Sequence, residues 1–132
     1  MNRFARFAAV FATALASAAP AWAQYPTHTI KWVVPYPPAG TTDVIARVMA
    51  PCMSDKLGQQ VVIENKPGGG NNIGVDYVVN SQPDGYTLLL VNPANGINTS
   101  LYKNLSFNFV KDIAPVAGLS TTNIVEKIKQ QA

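Results

Sequence analysis

From Ile30 onward the chain alternates short apolar runs with stretches in which apolar residues recur at helical spacing. Ile30, Trp32, Val33 and Val34 form a β-branched and aromatic run stopped by Pro35, as a strand covered on both faces reads. Tyr36, Pro37, Pro38, Ala39 and Gly40 suit neither strand nor helix, because the prolines remove backbone donors and fix φ. Thr41, Thr42 and Asp43 then offer N-cap oxygens and a negative charge where a helix over residues 42–57 is predicted. The apolar stripe of this helix is Val44, Ile45, Val48, Met49, Cys52 and Met53. Pro51 is expected to kink or divide it, and Gly58 to close it.

The same plan then repeats. Val61, Val62 and Ile63 predict a second strand. The loop of Asn65, Lys66, Pro67, Gly68, Gly69, Gly70, Asn71 and Asn72 follows it, with Asn71 or Asn72 capping a helix over 73–80. A turn at Gln82, Pro83, Asp84 and Gly85 precedes the strongest strand pattern, residues 86–91. The polar loop Asn92, Pro93, Ala94, Asn95 and Gly96 leads to a short helical segment near 98–102. A strand around 114–119 and a short amphipathic helix over 121–132, with Ile124, Val125 and Ile128 on one side, complete the expectation. Repeated β-α-β units connect right-handedly, giving a parallel sheet whose loops share its carboxyl edge, where open α/β sheets bind ligands.

Residues 1–23 stand apart from this pattern. Arg3 and Arg6, an apolar run over 7–16, and Ala21, Trp22 and Ala23 are the three parts of a secretory signal cleaved after Ala23. The apolar run is shorter than the roughly 20 residues that span a bilayer. Its removal takes two arginines and lowers the net charge from +3 to +1, so the basic isoelectric point gives no case for nucleic acid. Cys52 is the single cysteine; no internal disulfide can form, and its place on an apolar stripe reads as a buried small hydrophobe.

The three loops carry hydroxyls and amides: Tyr36, Thr41, Thr42, Asn65, Asn71, Asn72, Asn92 and Asn95, with Asp43 and Lys66 as the charged side chains among them. The lone histidine, His28, precedes the first strand as a solvated terminal residue. The loops therefore supply no acid/base couple and no activated nucleophile, and no cofactor is implied. Gly68 and Gly70 begin a G-x-G-x-x-G pattern, but Ile73 stands at its third glycine, and no G-K-[ST] sequence follows. The glycines permit amides to converge on a ligand, or form a flexible turn. Neutral donors and helix termini suit a carboxylate held without being transformed.

In series, YPTHTIKWVVPYPPAGTTDVIAR, LGQQVVIENKPGGGNNIG, QPDGYTLLLVNPANGIN and LYKNLSFNFVKDIAPVA resemble the tripartite tricarboxylate transporter substrate-binding proteins, the Bug family of periplasmic receptors. The resemblance covers residues 25 to about 120. It implies an α/β, periplasmic binding protein type II-like lobe with a mostly parallel sheet, helices on both faces, and the second lobe missing. Residues 24–120 would form that amino-terminal ligand-binding lobe and 121–132 a terminal helical segment. The lobe would capture a small carboxylate or related organic anion and deliver it to membrane permease subunits. Carried onto this chain, the ligand-binding positions are Tyr36, Ala39, Gly40, Thr41, Thr42, Asp43, Gly70, Asn71, Asn72, Asn92 and Asn95. Ala39 and Asn71 stand where glycine is common in the family, which narrows backbone freedom at two points.

A chain truncated to one lobe is expected to bind in the millimolar range or not detectably, and to show an exposed apolar face or open strand edge. After cleavage Trp32 is the sole tryptophan, and its fluorescence is expected to report binding. The alternatives are a non-functional remnant or partner-binding module without ligand affinity, and a small secreted enzyme, which would need a general base that the loops lack.

Overall fold

The structure is a computed structural model and describes residues 24–120. The expected signal sequence and the helix over 121–132 lie outside the described residues. Three parallel strands, β1 (Ile30–Val34), β2 (Val61–Asn65) and β3 (Thr87–Leu89), form one sheet in the order β2-β1-β3. Ile30 pairs with Val61 and Val34 with Asn65, while Lys31 pairs with Thr87 and Val33 with Leu89. The parallel sense puts all three following loops at one edge, as the β-α-β pattern predicts.

Strand alternation sorts β1 between two layers. Ile30, Trp32 and Val34 are buried with Ala46 and Ala50 of helix α1 (Thr41–Leu57), and with Val61 and Leu90. Burying each large side chain contributes roughly 1.5–3 kcal/mol relative to leaving it exposed. Lys31 points the other way, and its Nζ donates to the Tyr77 hydroxyl of α2 (Asn72–Val79), 2.8 Å away. Helices therefore cover both faces of the sheet.

Helix α1 differs from its sequence reading in three ways. Gly40, not a threonine, is the N-cap, and no side chain caps the helix. Pro51 does not divide it: the helix runs unbroken to Leu57 and ends at Gly58, whose φ of 67° is the left-handed closing conformation. The fully buried positions are Asp43, Ala46 and Ala50; of the expected stripe Ile45, Met49 and Met53 are half-buried, with Met49 and Met53 packed on the core, while Val44, Val48 and Cys52 lie exposed. Small residues allow α1 to approach the sheet closely, and Val48 and Cys52, two positions after Ala46 and Ala50, turn outward.

Further changes follow from local chemistry. The loop expected over 92–96 is largely helix: α3 (Pro93–Leu101) starts at once because Pro93 takes the first position and Asn92 caps it. The strand at 86–91 is laddered only at Thr87–Leu89, although the Leu90 N–H still donates to the Val33 carbonyl at 2.9 Å. No strand forms over 114–119; a one-turn helix, α4 (Phe109–Asp112), precedes an irregular stretch in which Val116 and Leu119 are exposed. Pro115 and Gly118 weaken strand formation there. Among the described residues, the outer edges of β2 and β3 carry no partner strand.

Candidate functional site

The rim is built from the turns after β1, β2 and β3. In the first, Ala39 holds φ at 66°, and its N–H donates to Asp43 Oδ2 at 2.9 Å. Arg47 Nε donates to the same oxygen at 2.8 Å, and Asn65 Nδ2 donates to Asp43 Oδ1 at 2.8 Å and to the Tyr36 carbonyl at 3.1 Å. Asp43 is thus buried with its carboxylate engaged by three residues. The Arg47 hydrogen bond first, then the Ala39 amide and Asn65, hold its pKa down at about 2. Asp43 shapes the turn from within, with both carboxylate oxygens turned to donors of the protein itself. Arg47 was absent from the sequence-based site, although its place four residues after Asp43 on a helix was a legible signal.

The first bond of the α1 ladder runs from Val44 N–H to the Gly40 carbonyl, so the amides of Thr41, Thr42 and Asp43 precede it. Thr41 is exposed and Thr42 half-buried. These N–H groups, with the positive end of the helix dipole, lie at the rim.

The second turn passes through four consecutive positive-φ residues: Gly68 (124°), Gly69 (56°), Gly70 (63°) and Asn71 (77°). Asn71 and Ala39, the two departures from glycine, both keep a glycine-like backbone; asparagine tolerates it, whereas alanine there costs about 1 kcal/mol. Asn71 occupies the N-cap position of α2, as expected, but its side chain makes no capping bond. Asn72 Oδ1 accepts from Asn98 Nδ2 at 3.0 Å. Lys66 turns toward the layer of α2, with Nζ 2.8 Å from Glu64 and 4.1 Å from the Tyr77 ring centroid. This ion pair, led by the Lys66 hydrogen bond, lowers the Glu64 pKa.

The third turn closes on itself. Asn92 Oδ1 accepts from Ala94 N–H at 2.8 Å, and Asn95 Oδ1 accepts from Asn92 N–H at 3.0 Å, a reciprocal cap. Replacing Asn92 by alanine is expected to cost about 1 kcal/mol in urea denaturation. Tyr36 reaches across from the first turn and donates to Asn95 Oδ1 at 3.2 Å. Burial pushes the Tyr36 pKa up to about 12, so it stays a neutral donor. Asn95 is 2% exposed, and its Nδ2 has no partner among the described residues.

Of the residues expected at the site, Tyr36, Asn95, Asn92, Gly70 and Asn72 meet through these contacts, while Asp43 stands behind them. Asn98, which the sequence reading passed over, joins the second and third turns. Grooves of about 340 and 580 Å³ lie beside α3 and α4 and between α1 and β2; of the rim residues named above, Arg47 alone lines the second. His28 is exposed ahead of β1 and stacks on Tyr86, centroids 3.6 Å apart, well outside the three turns. Trp32 is 4% exposed in the core, so its fluorescence is a poor reporter of the rim, contrary to the sequence-based expectation.

A parallel α/β sheet with amides and helix starts gathered at its carboxyl edge is the arrangement in which open α/β sheets hold ligands. Residues 45–131 match the family model described as "Tripartite tricarboxylate transporter family receptor", and the chain belongs to that family. It is 38% identical over 128 residues to the protein BugT of Bordetella pertussis, covering 95% of this chain and 39% of that relative. The fold is similar to MatC of Rhodopseudomonas palustris with bound malate, at 34% identity and TM-score 0.63, covering 67% of this chain and 30% of that one. It is also similar to an R. palustris protein solved with adipate, at 36% identity and TM-score 0.57, covering 64% and 28%. The chain therefore spans well under half the length of the relatives it matches.

Proposed function

We propose that the chain is a solute-binding receptor, or the ligand-holding lobe of one, that captures a small carboxylate for a tripartite tricarboxylate-type transporter. The observation that carries this reading is the polarity of the rim. Asn92, Asn95 and Asn72 each spend the side-chain oxygen on a protein donor, and the Asp43 carboxylate is fully engaged. What supports a ligand here is N–H: the Asn72 amide group and the first amides of α1, and the buried Asn95 Nδ2 is a further donor without a partner among the described residues. Clustered donors of this kind favour an anion, and a carboxylate can take several such bonds at once.

Malate and adipate occupy the two R. palustris relatives, which supports a dicarboxylate as the class to try first. Export to the periplasm, with cleavage after Ala23, and delivery to permease subunits complete the reading. Titration of the purified protein with malate and adipate, followed by amide NMR, is expected to shift the Thr41, Thr42 and Asn72 backbone resonances and the Asn95 side chain. One lobe by itself leaves the ligand half hydrated, so Kd is expected at about the millimolar level, a binding free energy near 4 kcal/mol in magnitude. The matching diamides, which lack the negative charge, are expected to bind at least tenfold more weakly. Equal binding of acids and diamides, or shifts confined to other regions, would refute the carboxylate reading.

A further inference from the structure

We propose that Asn98 is a positioning residue that fixes the second turn from the third unit and sets which end of the Asn72 amide is offered to a ligand. Asn98 lies on α3, two turns of the fold away from the glycine loop in sequence, yet it is 6% exposed and packed against that loop. Its Nδ2 donates to the Gly70 carbonyl at 2.5 Å and to Asn72 Oδ1 at 3.0 Å. Both protons of one amide nitrogen are thereby spent on the two flanks of a turn that has four positive-φ residues and no side-chain cap of its own.

The chemical consequence lies in the direction of these bonds. Asn98 presents a donor, so Asn72 must answer with its oxygen, and the planar amide then carries its NH2 away from Asn98. No described residue accepts from that NH2. If Asn98 presented an acceptor, Asn72 would turn its NH2 inward and show an oxygen to the ligand instead. One buried residue with no ligand contact of its own thus selects between a donor and an acceptor at the rim. Tyr102, four residues further along the chain, supports the same turn: a Cβ added at Gly70 would run into its hydroxyl.

The ligand half of this inference rests on the receptor reading; the positioning half does not. Asn98→Asp keeps the shape and replaces the donor by acceptors, and Asn98→Ala removes both. In the ligand-free full chain, Asn98→Asp is expected to move the Asn72 side-chain NH2 resonances and to speed hydrogen exchange at Gly70 to Asn72, while the β1–β2 amides keep their protection. Unchanged Asn72 resonances, or protection lost uniformly across the sheet, would overturn the positioning role. Malate and adipate titrations then read the consequence. At least tenfold weaker binding by Asn98→Asp, exceeding the loss in Asn98→Ala, supports the polarity switch, and binding within twofold of the native chain overturns it. If the native chain binds neither acid, the receptor reading falls, and the resonance and exchange measurements alone decide the positioning role.

Discussion

Gly74→Ala is expected to destabilise the protein by about 1–3 kcal/mol, although alanine is the better helix former by about 1 kcal/mol. Gly74 is buried in the first turn of α2, where a Cβ would lie 2.6 Å from Pro35 Cβ, 2.9 Å from the Lys66 carbonyl oxygen and 3.0 Å from Pro35 Cα. None of these neighbours is the free end of a flexible chain. Proline is rigid, and the Lys66 backbone is tied to β1 by its N–H bond to the Val34 carbonyl at 2.9 Å. Helix α2 must therefore back away from the end of β1, and the first and second turns must part. Gly96 supplies the control, since a Cβ there meets nothing within 4 Å. Gly96→Ala on α3 is expected to be neutral or to stabilise by up to about 1 kcal/mol. Urea denaturation of the two variants separates steric exclusion from helix propensity; equal stability would show that the contact at Gly74 yields easily.

Asp43→Asn is expected to produce the second large effect. The carboxylate serves three donors on two oxygens, and an amide in its place turns an NH2 toward at least one of them. The Ala39 amide or Asn65 is left unpaired inside the rim, and the strained Ala39 loses what holds it at positive φ. A melting temperature lower by about 5–10 °C at pH 7 is the expected reading. The pH profile gives a second reading. Asp43 titrates at about 2 when folded against an ordinary 3.8, so its contribution is complete above the ordinary value and lost as pH falls through about 2. The native protein should lose stability across that acidic interval, and Asp43→Asn should show a flatter acid limb from a lower starting point. A variant that melts like the native protein at pH 7, with the same acid limb, would remove Asp43 from its structural role.

The contrast between these two residues shows what a sequence can disclose. The strand at 30–34, the helix closing at Gly58 and the sharing of one sheet edge were legible because β-branched runs, proline stops and β-α-β order act locally or through a simple chirality. Asp43 was legible as a charge at a helix start, but not as the centre of a network that includes Arg47 and Asn65, because its partners include one brought in by the neighbouring strand. The α1 stripe was legible only in part, at Ile45, Met49 and Met53, for a related reason. Val44, Val48 and Cys52 have the period and hydrophobicity of a buried face, yet close approach to the sheet selects the small side chains of Ala46 and Ala50. Asn98 gave no local signal at all. Its role exists only once parallel pairing has carried α3 up to the glycine turn, so no window of the sequence contains both halves of the contact.

The two outer strands of the sheet bear on how the protein behaves at high concentration. Along β2 and β3, peptide groups on the solvent side can ladder with any extended chain that drifts past, and Val62 at 42% exposure adds a greasy handhold on β2. Glu64 and its lysine partners place charge beside that lip, a deterrent that weakens as salt screens it. Stocks kept dilute and at low ionic strength should therefore stay clear longest, and clouding on added salt would begin at the sheet's margins while the carboxyl rim is still intact.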